Sequence, residues 1–104
     1  MRTLLAALTT LMLFAAAPVV AGDYEDGQAA YEAGDYQKAF RLWEPLAEKG
    51  HKYAQVQFGW LYLKGEGIPK NYVKAVYWYR KAAEQGDADA QGNLGLMYYR
   101  GEGE

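Results

Sequence analysis

The feature that most constrains this chain is a tandem repeat of period 36. Displaced by 36 positions against itself, the sequence sets Lys38-Ala39 over Lys74-Ala75, Leu42-Trp43 over Trp78-Tyr79, and Ala47-Glu48-Lys49-Gly50 over Ala83-Glu84-Gln85-Gly86. The register continues with Ala54-Gln55 over Ala90-Gln91, Phe58-Gly59 over Leu94-Gly95, Leu61-Tyr62 over Met97-Tyr98, and Gly65-Glu66-Gly67 over Gly101-Glu102-Gly103. Small, aromatic and glycine positions are held together over this span. Periods of this length belong to stacked supersecondary units, none of which can bury its apolar face alone.

Each period reads as two helices. Ala54, Phe58, Leu61 and Tyr62 fall at helical spacing, as do Val73, Val76, Tyr77, Arg80 and Ala83, and no alternating pattern competes. The expected helices are 24–33, 36–49, 53–64, 72–85 and 88–100, giving two antiparallel pairs and one unpaired helix. Asp35 and Asn71 stand where a side-chain oxygen can cap the second helix of each pair, and His51 and Asp87 stand at the corresponding start of the first helix. Gly34, Gly50 and Gly86 follow helix ends, and the stretch from Gly65 to Lys70 is a loop. Gly59 and Gly95 lie inside helices at equivalent positions, which points to close helix packing because an interior glycine otherwise costs about 1 kcal/mol relative to alanine. Pro45 should kink the 36–49 helix near Arg41 by removing a backbone donor.

The first 21 residues stand apart. Arg2 precedes an apolar run from Leu4 to Ala17, closed by Pro18-Val19-Val20-Ala21, the make-up of a cleaved signal peptide. The run is 14 residues long, short of the roughly 20 that span a membrane. Residues 1–21 are therefore expected to direct export to the periplasm or beyond, and 22–104 to form one repeat array. The chain contains no cysteine, so neither a lipid-bearing cut site nor a disulfide can be built, and no stable membrane anchoring is expected after cleavage. Ten basic residues against 13 acidic ones after Ala21 give the mature part a charge of about −3, which offers nothing to nucleic acid.

Together these residues resemble the Sel-one-like repeat family, bacterial exported members included, which is related to the tetratricopeptide repeats. The family pattern is matched by Ala54, Gly59, Tyr62, Gly65, Gly67, Lys74, Ala75, Trp78, Tyr79, Lys81, Ala82, Ala83, Glu84 and Gly86, and begins again at Ala90, Leu94, Gly95, Tyr98, Gly101 and Gly103. The opening unit departs from it: five residues separate Tyr31 from Tyr36, against ten from Tyr62 to Tyr72, and Gln28 to Gly50 is closer to a plain tetratricopeptide half. The resemblance implies an all-α solenoid of antiparallel helix pairs, about two and a half repeats, whose first helices line a concave face that binds a protein or peptide. Carried over through Gly59 and Tyr62, that face takes Tyr53, Val56, Trp60, Leu63 and Lys64. Through Gly95 and Tyr98 it takes Asp89, Gly92, Leu96, Tyr99 and Arg100. Tyr53, Val56, Trp60, Lys64, Leu96, Tyr99 and Arg100 are the candidate partner-binding residues, with Trp60 foremost because its repeat equivalent is Leu96. The array stops within a loop at Glu104, so either it continues beyond or the last helix serves as a cap, and the face of that helix holding Leu94 and Tyr98 is expected to be partly open and to support self-association.

Catalysis is poorly provided for. Residues 22–104 contain no serine, threonine or cysteine, and His51 is the single histidine, so nucleophilic chemistry and a histidine-rich metal site both lack their groups. No cofactor is expected. Glu66 and Glu102, inside repeated Gly-Glu-Gly loops, read as loop structure rather than as an acid pair. The expectation is a non-enzymatic, exported interaction module. The other functions considered are an inhibitor of an envelope or host enzyme, and a β-lactam-interacting enzyme suggested by cysteine-rich exported relatives, whose paired cysteines this chain lacks.

Overall fold

The computed structural model describes residues 22–103, and the expected signal peptide, residues 1–21, lies outside them. Five helices follow in order: α1 (Asp23–Glu32), α2 (Tyr36–Glu48), α3 (Lys52–Lys64), α4 (Tyr72–Glu84) and α5 (Ala88–Arg100). No strand occurs among the described residues, and every helix bound lies within one residue of its expected place. Each helix packs against the next in sequence, the arrangement of an α-solenoid. No helix among the described residues is long and apolar enough to cross a membrane.

The tight turns use one device three times. At the end of α1, Gly34 donates to the Tyr31 carbonyl (3.0 Å) and Asp35 to that of Ala30 (2.8 Å). Gly50 and His51 repeat this on Ala47 and Leu46 after α2, and Gly86 and Asp87 on Ala83 and Ala82 after α4. The left-handed backbone of the middle residue, with φ of +84°, +97° and +89°, allows the paired bonds and selects glycine. The residue that ends one helix then caps the next: Asp35 accepts from Lys38 N (3.2 Å), His51 Nδ1 from Ala54 N (3.1 Å), and Asp87 from Ala90 N (2.8 Å). His51 is therefore a helix cap. Asn71 caps α4 in the same way through Lys74 N (3.0 Å), at the end of the longer loop.

The Gly-Glu-Gly loops bind neighbouring repeats together. A Cβ added at Gly67 would stand 2.6 Å from Tyr36 Cβ, and one added at Gly103 would stand 2.6 Å from Val76 Cγ2 and 2.9 Å from the Tyr72 carbonyl oxygen. Both loops thus press against the first turns of the second helix one step back, which is why the glycines recur with the period. Pro45 does not interrupt α2. It is exposed in the last turn, and the helix runs on past it to Glu48.

Two cores divide the helices. Ala30, Ala39, Trp43, Ala47, Ala54, Phe58 and Leu61 close the first between α1, α2 and α3. Ala75, Val76, Tyr79, Ala82, Ala90 and Met97 close the second between α4 and α5, with Val56, Tyr62 and Leu63 of α3 packed against it. The alanines let backbones approach while the large rings fill the space between them. Trp43 lies where Gly27 leaves no side chain, and Tyr79, its equivalent one period later, lies over Gly59. Gly95 is the third such glycine, and nothing comes within 4 Å of a Cβ built there.

Candidate functional site

The first helices of the three units, α1, α3 and α5, share one face, and two aromatic hydrogen bonds tie α3 and the loop after it to α1 on it. Trp60 Nε1 donates to Tyr31 Oη (2.8 Å), and Tyr31 in turn donates to Glu66 Oε1 (2.8 Å). Lys64 Nζ lies 5.0 Å from the centre of the Trp60 ring, within cation–π range. Burial, followed by the hydrogen bond to Glu66, pushes the Tyr31 hydroxyl above its ordinary pKa, while the Trp60 donor works the other way. At the start of α3, Tyr24 stacks on His51 (5.0 Å between ring centres) and stands 6.3 Å from Tyr53. The α1–α3 half of the face is thus filled by its own side chains.

Between α3 and α5 the face opens. Val56, Gln57 and Trp60 from α3 and Ala88, Asp89, Gly92 and Asn93 from α5 line a cavity of about 390 Å³, and Tyr79 of α4 reaches it from behind. It opens because α5 carries alanine and glycine here: a Cβ added at Gly92 would meet nothing within 4 Å. Tyr79 is fully buried (0% exposed), and its hydroxyl is without a hydrogen-bond partner among the described residues. Asn93 stands near enough to favour the phenolate, but burial outweighs it and pushes the Tyr79 hydroxyl far up. One period earlier the equivalent polar atom is satisfied, since Trp43 Nε1 donates to the Tyr24 carbonyl (3.1 Å). The orphaned hydroxyl is therefore particular to the second unit.

The residues singled out in the sequence do not line one cavity. Val56 and Trp60 line the α3–α5 cavity, with Asp89 and Gly92 from the carried-over positions. Lys64 and Arg100 line a separate cleft of about 220 Å³ with Leu63, Lys70, Tyr72 and Glu102. Tyr53 is exposed beside Tyr24 and His51, while Leu96 and Tyr99, the latter 89% exposed, border neither cavity. Sequence reasoning passed over Gln57, Asn93 and Tyr79. The first two lie three positions before Trp60 and one after Gly92, on the same helix faces. Tyr79 carried its own signal, a ring with a polar tip where the preceding unit has tryptophan, at a core position that calls for a partner. Among the described residues no three histidine, cysteine or acidic side chains are grouped to hold a metal ion.

Comparison with known proteins agrees with this architecture. No curated protein matches the chain. Of solved structures, a Sel1 repeat protein from Oxalobacter formigenes is 42% identical with a TM-score of 0.71, over 78% of this chain and 32% of that one. The protein c5321, a protective antigen present in uropathogenic Escherichia coli strains and displaying an SLR fold, is 36% identical with a TM-score of 0.74, over 92% of this chain and 21% of its own. The chain thus spans about a third and about a fifth of those two proteins. The Sel1 repeat profile matches residues 20–51, 52–87 and 88–104, so that even the opening unit, which lacks the Gly-x-Gly loop, is a repeat of this kind. By its repeats and its fold, the chain belongs to the Sel1 repeat family.

Proposed function

We propose that this chain is an exported binding module that holds a protein or peptide partner on the face formed by α1, α3 and α5, the concave side of the solenoid, and performs no chemistry of its own. Sel1 repeats generally serve as protein–protein interaction modules. The observation that carries the reading here is the open cavity between α3 and α5, in which Val56 and Trp60 offer apolar surface and Gln57, Asp89 and Asn93 offer polar groups around a buried hydroxyl. A few convergent polar groups in a concave, partly apolar site are what recognition of a ligand requires. Export follows from the signal-like make-up of residues 1–21, and the non-enzymatic reading from the want of serine, threonine and cysteine in residues 22–104.

The test is site-specific photo-crosslinking in the source organism, with the crosslinking amino acid at Leu96, exposed on α5 one turn beyond Gly92, in one strain and at Lys38, exposed on α2, in another. The expected result is a discrete adduct from Leu96 and none from Lys38. Adducts from Lys38 alone would place the partner on the opposite side and overturn the proposal. Fractionation of the same cells locates the mature protein, and retention of the full chain in the cytoplasm would refute export.

A further inference from the structure

The geometry points to the α3–α5 cavity as a pocket for a single arginine side chain of the partner, with Asp89 as the counter-charge and Trp60 as the flat wall. This deepens the proposed function and rests on it. Asp89 is the one charged residue lining the cavity, and it lies on the exposed rim in the first turn of α5. Gln57 spends its amide nitrogen on Tyr24 Oη (3.4 Å), which leaves its carbonyl oxygen as an acceptor. The Trp60 nitrogen is likewise engaged by Tyr31, so the indole presents a ring surface and no donor.

At the back of the pocket the Tyr79 hydroxyl has no partner, with the Asn93 amide beside it. A buried hydroxyl left unpaired costs free energy that a ligand can recover, and its oxygen can accept from an incoming N–H. The groups on offer are therefore acceptors: a carboxylate at the rim, two amide oxygens and a phenol oxygen, arranged beside a tryptophan. A guanidinium answers all of them, because it carries five donors in a plane, accepts nothing, and stacks on aromatic rings. An ammonium is a point charge that cannot reach rim and floor together. A carboxylate ligand would meet Asp89 and is disfavoured by like charge. Lys64, on the far turn of α3, already lies over the Trp60 ring, an arrangement that shows the indole accepting a cation.

The experiment titrates the ¹⁵N-labelled protein with three blocked tripeptides, acetyl-Gly-Arg-Gly-amide and its lysine and glutamine counterparts, and follows the Trp60 indole and the Gln57 and Asn93 side-chain amides by NMR. The arginine peptide should shift all three saturably. Asp89→Asn should weaken its binding by about tenfold, the loss of one charge-assisted hydrogen bond. Because Asp89 is exposed, that variant should keep its fold. Tyr79→Phe should weaken binding several-fold while leaving thermal stability equal or higher, a combination that a merely structural tyrosine would not give. Absence of saturable shifts, binding of the glutamine peptide as tight as that of arginine, or wild-type binding by D89N would each overturn the proposal, and equal binding of the lysine peptide would overturn the choice of guanidinium. A crosslink at Leu96 together with a failed arginine titration would mean that the face binds a partner by other groups. A crosslink at Lys38 alone would remove the face itself.

Discussion

Gly27, Gly59 and Gly95 occupy the same position in three successive first helices, yet their environments call for opposite responses to the same substitution. Alanine removes the conformational cost of a helical glycine, worth about 1 kcal/mol wherever the added methyl finds room. At Gly95 a Cβ meets nothing within 4 Å, so G95A should be stabilised by about 1 kcal/mol, raising Tm by roughly 4–8 °C for a domain of this size. At Gly59 the new Cβ would lie 3.0–3.1 Å from three atoms of the Tyr79 ring, which is fully buried and must give by a few tenths of an ångström. Overpacking of this kind costs about 1–3 kcal/mol, so after the backbone gain G59A should fall between neutral and about 2 kcal/mol destabilised. At Gly27 the Cβ would overlap the Trp43 indole, with Cδ1 and Cε2 at 2.7 Å, and moving the ring also breaks its 3.1 Å bond to the Tyr24 carbonyl. G27A should therefore lose about 2–3 kcal/mol or more. Urea unfolding followed by helical circular dichroism gives the three values, and the expected order of stability is G95A, wild type, G59A, G27A. If all three variants were stabilised alike, backbone propensity alone would govern the position and the packing argument would fail. A loss at G95A as large as at G59A would mean that a ring covers α5 as Tyr79 covers α3.

Tyr79→Phe removes a buried hydroxyl that has no partner, so at neutral pH it should be neutral or stabilising by about 1 kcal/mol. Its effect on alkaline stability follows from linkage: folding raises the pKa of Tyr79, and those of Tyr31 and Tyr62 to a lesser degree, so the unfolded chain gives up these protons first. Their contribution is whole below about pH 10 and is lost as pH rises further, and Y79F should make the fall shallower by up to about 1.4 kcal/mol per pH unit. Urea midpoints at pH 9, 10 and 11 check this, and parallel falls for both proteins would refute it. His51→Ala should cost about 1 kcal/mol of helix capping, and His51→Asp should restore most of it, because Asp87 fills the equivalent post on α5. Equal melting of both variants would show that stacking on Tyr24, not the cap, is what His51 contributes. The exposed Leu96, Tyr98 and Tyr99 on α5 should drive self-association, visible as a sedimentation coefficient that rises with concentration and is flattened by Leu96→Glu. A concentration-independent monomer would sink that expectation.

The helices and their ends were legible in the sequence because local chemistry repeats there without ambiguity. Asp35, His51, Asn71 and Asp87 each cap a helix through one short-range bond, and Gly34, Gly50 and Gly86 close the turns through backbone bonds spanning three and five residues. The site was less legible because its parts come from helices brought together only by packing. Trp60 stood out as a departure from the repeat, but its bond to Tyr31 crosses 29 residues of sequence, and no periodicity announces that partner. Lys64 and Arg100 were grouped with Trp60 by register. The α5 helix ends so that they face a different cleft.

What distinguishes the two cores also explains where a site can form in a repeat fold. The same slot is filled twice, by Trp43 over Gly27 and by Tyr79 over Gly59. In the first unit the polar atom is consumed by Tyr24, whose backbone carbonyl lies within reach of the indole nitrogen, and the face in front of it is closed by Tyr24 and Tyr31. In the second unit the equivalent of Tyr24 in the slot register is Val56, and α5 contributes Ala88 and Gly92 where side chains could have filled the space. Repetition therefore supplies the scaffold, and each failure to repeat exposes something: an unmet hydroxyl, an open wall, a single carboxylate. Restoring the first unit's chemistry in the second, by Tyr79→Trp with Val56→Tyr, should fill the cavity and abolish binding while leaving the helices in place. A double variant that still binds its partner and the arginine peptide as tightly as wild type would show that the functional surface lies elsewhere on the repeat.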